Sequence, residues 1–406
     1  MLINFIQKKI QRSRVPRRVY LDYAGATPLS QVSRNAMAQV HALWGNPGAP
    51  HSEGMQAKAV LNEARAKIAK VLAVKPQEII CTSGATEANN LALFGVVHAL
   101  AKTGIRPHVV STRIEHSSIL EVLDSEEFLR VADVTYIAPN AHGEITVNAL
   151  VSALRSETRL VSIGWANGEI GTMQTLRALG NAIREYEKVH DTHIIFHSDA
   201  GQSAFATAPQ PHGVHLDMLT LSSGKLYGPR GIAVLYVRND VPLLTRMYGG
   251  GQERGFRPGT EDPMLLTGYA AALTQLEEER EDAFTQAREM RKKFVQELLT
   301  AFPDAVINGT GKHQLAHIVN ISIPGIDSEY IMLALDHRGV ACSTKSICLL
   351  ESGDPESPVV KALGGDSWRS TTTLRFSYGK GISSDDLSHV VSLLSELVAV
   401  YRKNAL

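Results

Sequence analysis

Residues 215–225 read HLDMLTLSSGK, and the turn-rich YGPRG of residues 227–231 follows one position on. The first part is an apolar, strand-like run, so Lys225 stands where a strand gives way to a loop. A second strand-like run, HIIFHSD at 193–199, closes on Asp199, with Gln202 three residues further. Buried strands of open α/β sheets deliver such residues to their carboxyl edge, which is where these sheets bind ligands. An amine and a carboxylate are therefore expected at one sheet edge.

The same grammar extends in both directions. QAKAVLNEARAKIAKVLAV (56–74) has helical periodicity, EIICTSG (78–84) reads as a buried strand, and ATEANNLALFGVVHALAKTG (85–104) as the next helix. PHVVSTRIEH, TRLVSIGWA and IAVLYV are further strands, with helical runs such as LRALGNAIREYEKVH between them. Alternation of this kind predicts an α/β fold, a large doubly wound domain with a mainly parallel sheet. After the glycine-rich GGGQERGFRPGTED the character changes. Residues 263–301 read as one long helix, charged on one face, with Phe284, Ala287, Phe294 and Leu298 on the other. HIVNISIPG, SEYIMLALDHRG, VACS, TLRFSYG and a last helix then make a smaller α+β unit. The expected division is a basic tail at 1–18, a large domain at 19–262, and a connecting helix with a small domain at 263–406.

Composition narrows the function. The 406 residues suffice for two domains, and Lys+Arg equals Asp+Glu at 41 each, which gives no overall attraction to nucleic acid or an anionic membrane. No apolar run is long enough to span a bilayer. Three cysteines without metal-type spacing predict neither a disulfide framework nor a metal site, and they point to a reducing cytoplasm. The first 18 residues carry bases and no acid, which fits a targeting peptide or a short exposed tail. The lack of a small-residue cleavage pattern favours the tail.

An amine to hold an aldehyde, and a carboxylate to keep a pyridine nitrogen protonated, is the pairing that pyridoxal phosphate needs. Lys225 and Asp199 suit those parts. The strand–turn–helix at SGATEANN presents backbone N–H groups and a helix dipole to an anion such as the cofactor's phosphate, with Thr86 adding a hydroxyl. An ordinary turn capped by Ser83 and Thr86 reads equally well. His116, in the loop after PHVVST, could stack on the ring and carry protons, or simply cap a helix. Arg375, flanked by apolar residues in TLRFSYG, needs a partner; a substrate carboxylate or a structural acid would serve. Cys81 and Cys342 sit in strand-like runs and read as buried, inert thiols. Cys348, in the polar CSTKSICLLESGDPESP with Lys345 nearby, is the candidate nucleophile.

YLDYAGATP, WGNPGAPH, SGATEANN, EHSS, NGEIG, HSDAGQS, SSGKLYGPRG, RPGT and LRFSYG occur in this order over nearly the whole chain. Together they resemble the cysteine desulfurases, class V aminotransferase-like enzymes of pyridoxal phosphate fold type I. The segment around Cys348 resembles the long cysteine loop of the group I members. The resemblance implies that Lys225 forms the Schiff base, Asp199 pairs with the pyridine nitrogen, Gln202 bonds the phenolic oxygen and His116 stacks on the ring. It implies Ala85, Thr86 and Ser222 as phosphate ligands, with Thr260 reaching the phosphate of a partner subunit in a homodimer that shares its sites. Arg375 would bind the substrate carboxylate, assisted by the regions of Asn46 and Asn167. Cys348 would take sulfur from L-cysteine as a persulfide, leaving L-alanine, for an iron–sulfur cluster or thiocofactor acceptor that the sequence does not name.

Two departures stand out. Gly224 occupies the place of the family's phosphate-contacting histidine, where Ser223 or water could substitute, and Gly168 that of a second asparagine. Lys345 and Ile347 also replace small residues beside the cysteine. Weaker cofactor retention and altered persulfide kinetics are expected. Selenocysteine lyase, another class V lyase, or a non-catalytic scaffold that has lost the chemistry remain as alternative readings.

Overall fold

The structure is a computed structural model and describes residues 18–344 and 356–404. In chain order it opens with β1 (Val19–Tyr20), α1 (Gln31–Val40), α2 (Ser52–Leu72), β2 (Ile79–Thr82) and α3 (Ala85–Ala101). Next come β3 (His108–Thr112), α4 (Ser117–Leu123), α5 (Glu126–Leu129), β4 (Asp133–Ile137), α6 (Val147–Ala153) and β5 (Thr158–Ser162). The large sheet is completed by α7 (Leu176–His190), β6 (Ile195–Asp199), β7 (Met218–Ser222) and β8 (Ala233–Val237). The remainder is α8 (Pro263–Ala301), β9 (Val306–Asn308), β10 (Ile318–Ser322), α9 (Ser328–His337), β11 (Val340–Ala341), α10 (Pro358–Ala362), α11 (Trp368–Thr371), β12 (Thr373–Ser377) and α12 (Ser384–Asn404).

Seven strands form the central sheet in the order β2-β8-β7-β6-β5-β3-β4. Only β8 runs against its neighbours, so the carboxyl ends of the other six share one edge. β8 is buried along its whole length and β7 at every position but its last, Ser222, as expected of strands covered by helices on both faces. β4, at the sheet's rim, is partly exposed over all but its last residue, Ile137. The architecture is the expected doubly wound α/β fold.

A three-stranded antiparallel sheet, β12-β10-β9, carries the smaller unit. β1 pairs in parallel with β11 rather than with the large sheet, and Val19 and Leu21 belong to the core of the small unit. Helix α8, 39 residues and about 58 Å long, joins the two cores. Leu266, Tyr269, Ala270, Leu273 and Leu276 pack into the large core; Met290, Phe294 and Leu298 pack into the small one. Asp262 starts the helix by accepting from the N–H groups of Met264 and Leu265, and proline occupies its first position. Among the described residues, no helix is long and apolar enough to cross a membrane.

Candidate active site

A cavity of about 360 Å³ opens at the shared carboxyl edge of the large sheet. Lys225, Asp199, Gln202, His116, Asn167 and Arg375 all line it. β6 ends on Asp199, and Lys225 follows in the short turn after β7. Asn89, one turn inside α3, donates from Nδ2 to Asp199 Oδ2 at 2.9 Å, and the Gly201 N–H donates to Oδ1 at 2.9 Å. Burial pushes Asp199 up, but Lys225, Asn89, His116 and Gly201 together hold it below the usual carboxylate range. It is a buried carboxylate built to stay ionised. A Cβ on Gly201 would fall 3.1 Å from Asp199 Oδ1 and 3.6 Å from Lys225 Cδ, so a side chain there would crowd both groups.

His116 caps α4, its Nδ1 accepting from the N–H of Ser118 at 3.1 Å, and it also lines the cavity. That bond leaves Nε2 as the protonated nitrogen of the neutral ring. Burial, helped by Lys225, pulls the ring down to about 4 against the pull of Asp199. Asn89 Nδ2 also donates to Ser118 Oγ at 2.8 Å, so one amide ties the histidine loop to Asp199. Beside His116, Glu115 accepts from Thr112 Oγ1 at 2.7 Å and from the Gly164 N–H. Burial nevertheless pushes its carboxyl up to about 7.

Arg375 enters from β12, across the cavity. Its Nη2 donates to Asp22 Oδ1 at 2.6 Å and its Nη1 to the Gly168 carbonyl at 3.1 Å, while Nε is buried without a partner. Asn167 holds its own loop, donating to the Ile114 carbonyl and accepting from the N–H groups of Glu169 and Ile170. Gln202 donates from Nε2 to the Ala24 carbonyl at 2.8 Å and leaves Oε1 buried and unpaired.

The remaining candidates lie apart from this cavity wall. Ala85 and Thr86 open α3, whose cap position, Gly84, makes no side-chain bond. Ser83 is engaged instead by Glu87, which accepts from its N–H at 2.7 Å and from Arg257 Nε at 3.0 Å. Ser222 ends β7, and Ser223 is fully buried with Oγ unpaired. Thr260 is exposed and lines a small pocket with Ser83 and Gly231, and a neighbouring one with Asn46 and Trp44. Over Gly224 lies the side chain of Arg230, whose Cγ would be 3.3 Å from an added Cβ; Gln202 Cγ similarly lies 3.4 Å from a Cβ on Gly168. Burial pushes the Cys81 thiol far up and that of Cys342 up to about 12, so neither is a ready nucleophile. Cys348 and Lys345 lie outside the described residues. No cluster of three or more His, Cys, Asp or Glu is placed to hold a metal among those residues.

Asn89 and Asp22 were absent from the residues singled out by sequence. Their only signals were membership of SGATEANN and YLDYAGATP.

The Aminotransferase class-V family profile matches residues 19–390, and the chain belongs to that family. The putative cysteine desulfurase IscS 1 of Bacillus subtilis is 33% identical over 386 residues, 94% of this chain and 98% of that protein. A NifS-like protein superposes with a TM-score of 0.86 at 28% identity, over 94% of this chain and all of the other. A structure of SspA in complex with cysteine gives 0.75 at 29% identity, over 89% and 99% of the two chains. Within the class V family the chain groups with the cysteine desulfurases and is an enzyme of that kind.

The family implies pyridoxal phosphate, and the residues present fit it. Lys225 offers the amine, Asp199 an ionised carboxylate and His116 a neutral ring, while Gln202 leaves an orphaned polar atom and Gly201 leaves room beside the lysine. The uncapped start of α3 offers N–H groups to a phosphate.

Proposed function

We propose that this cavity takes L-cysteine and releases L-alanine, passing the sulfur to Cys348. One observation carries the reading: Lys225 with ionised Asp199, and Arg375 with an unengaged Nε, face a single cavity. Bound pyridoxal phosphate supplies the electron sink that the substrate's reacting carbons require. Lys225 would hold the cofactor, Asp199 would keep its pyridine nitrogen protonated, and Gln202, whose Nε2 also bonds Ala24, would donate to the phenolic oxygen. Ala85, Thr86, Ser222 and Ser223 hold the phosphate, and His116 covers the ring with its proton on Nε2. Arg375 binds the substrate carboxylate, with Asn167 fixing the adjoining loop.

In the net reaction the cysteine Cβ–S bond breaks and an S–S bond forms on Cys348. One thiol proton ends in the alanine methyl group and the other on the persulfide, so no outside oxidant or reductant enters. The described residues that flank the segment carrying Cys348 meet elements of the cavity wall. Ser343 pairs with the Arg375 backbone, the Ser357 hydroxyl donates to Glu169, and Val359 lines the wall. Cys348 itself lies outside the described residues, and its part in the reaction rests on the resemblance of its segment to the family's cysteine loop.

The enzyme is proposed to work as a homodimer in the cytoplasm. Trp44, 80% exposed, lines a pocket with Asn46 and Thr260 and gives that face an apolar surface for a second copy, whose phosphate Thr260 would reach. The test is a visible spectrum of the protein with added pyridoxal phosphate, before and after L-cysteine, with alanine and persulfide assayed. A colour change with alanine formed, and persulfide lost in Cys348→Ala, is the expected result. Cofactor binding without turnover of cysteine would shift the reading to another class V lyase.

A further inference from the structure

Between the two cores that α8 joins, Phe284 and Ala287 are only half-buried, although the sequence assigns them to the apolar face. Phe284 instead lines a second cleft, of about 1100 Å³, bounded by the start of α7, the middle of α8 and the loop before β10. Its charges are lopsided: Arg177, Arg288, Arg291, Lys292 and Lys312 face Glu289 alone. None of the five cations has an ion-pair partner among the described residues, in a chain whose acids and bases are equal in number.

Two further observations point to an anionic ligand. Arg291 makes a single long hydrogen bond, from Nε to the Ile318 carbonyl at 3.4 Å, and burial lowers its pKa from the usual guanidinium value. Gln314 Nε2 is a buried donor without an acceptor. Unsatisfied donors of this kind are costly in a folded protein. The first turn of α7, lacking a side-chain cap, adds its positive end to the same wall.

The arrangement also indicates the shape of the ligand. Arg288, Arg291 and Lys292 are spaced i, i+3, i+4 on one helix, whereas Arg177 and Lys312 come from two other elements. Phe284, Val295 and Met173 supply apolar wall in the same cleft. A single phosphate would engage only part of so extended a row, whereas an acidic chain with interleaved apolar side chains would engage it all. We propose that this cleft docks an acidic segment of a partner protein, its carboxylates on the five cations and an apolar side chain against Phe284. Gln174 lines both this cleft and the active-site cavity and is fixed by bonds to Ile145 N and the Gly143 carbonyl. A docked partner therefore sits one side chain behind the reaction. The docking stands on charge and shape, and holds whether or not Cys348 carries sulfur.

The experiment is fluorescence anisotropy of a labelled peptide of repeating Glu-Glu-Leu with the full-length, cofactor-loaded protein, at low and at physiological ionic strength. Salt-sensitive binding is expected, weakened roughly tenfold in Arg288→Gln/Lys292→Gln and unchanged in Lys67→Gln on α2. Both substituted residues of the double variant are exposed, so its cofactor spectrum and alanine production should match the parent. Absence of binding, or equal affinity of parent and double variant, overturns the proposal. Displacement of the peptide by inorganic phosphate, ADP or a short single-stranded oligonucleotide at lower concentrations than by unlabelled peptide overturns it as well, in favour of a small-anion or nucleic-acid site.

Discussion

The active-site cavity and the basic cleft share Gln174 as a wall but treat charge in opposite ways. In the cavity each charge that bears on the proposed chemistry has a counterpart from the protein itself: Asp199 has Lys225 and Asn89, and Arg375 has Asp22. In the cleft five cations have none among the described residues. The difference follows from burial for all of the cleft cations but Arg291, which is partly buried. Arg375 is 4% exposed, and an unpaired charge at that depth is strongly destabilising, so it must be matched before substrate arrives. Arg288 and Lys292 are exposed, water satisfies them meanwhile, and their charge stays available to a partner.

The most forceful way to break this contrast is to remove one partner from each region. Asp22→Ala leaves Arg375 with the Gly168 carbonyl alone, and a loss of about 3–5 kcal/mol of stability is expected. Arg288→Ala should stay within about 0.5 kcal/mol of the parent. Denaturant midpoints measure both, and Asp22→Asn, which keeps an acceptor, should recover part of the loss. Equal midpoints for Asp22→Ala and Arg288→Ala would show that the cavity does not depend on its internal pairing.

A smaller effect sharpens the picture inside the cavity. Glu115 is raised from 4.5 to about 7, chiefly by burial. The folded state therefore holds its proton more tightly than the unfolded state, and this group lowers stability as pH rises from about 4.5 to 7, by about 3 kcal/mol in all. His116, lowered from 6.5 to about 4, has the opposite slope: its contribution is lost as pH falls from about 6.5 to 4. In the parent the two largely offset each other over the range they share. Glu115→Gln removes one of them, so stability between pH 4.5 and 6.5 should then rise with pH and be higher than the parent's at pH 8. An unaltered pH profile of stability would mean that Glu115 is ionised throughout.

How much of this was legible in the sequence depended on the range of the interaction. β7, β8 and α8 announced themselves through local pattern, and the α8 boundaries agree with the charge-patterned run 263–301. β4 was passed over because a rim strand that is partly wet lacks a continuous apolar run. The pairing of β1 with β11 joins two-residue strands more than 300 positions apart, and nothing local signals it. The site divides likewise. Lys225 and Asp199 stand at strand ends, where the pattern itself indicates a ligand edge. Asn89 and Asp22 matter only through bonds spanning 110 and 353 residues. Phe284 followed the helical period but faces the cleft, because α8 crosses between two cores there and neither covers it.

The mildest change tests a glycine rather than a charge. Gly224 precedes Lys225, and its carbonyl is already held by the Thr27 N–H at 3.0 Å, so its backbone is fixed whatever side chain it bears. A Cβ there would meet Arg230 Cγ at 3.3 Å, and Arg230 is exposed and can move aside. At Gly168 the neighbour is Gln202, which is tied to Ala24 and has less room to yield. Gly224→His should therefore fold with little loss. If the phosphate of pyridoxal phosphate lacks a donor at this point, the imidazole should tighten cofactor binding by roughly tenfold or somewhat more, the worth of one charge-assisted hydrogen bond. The dissociation constant for pyridoxal phosphate, measured by titration of apoprotein, decides the matter. An unchanged constant would mean that the α3 start, Ser223 or Arg230 already satisfies the phosphate, and that the glycine is no handicap to retaining the cofactor.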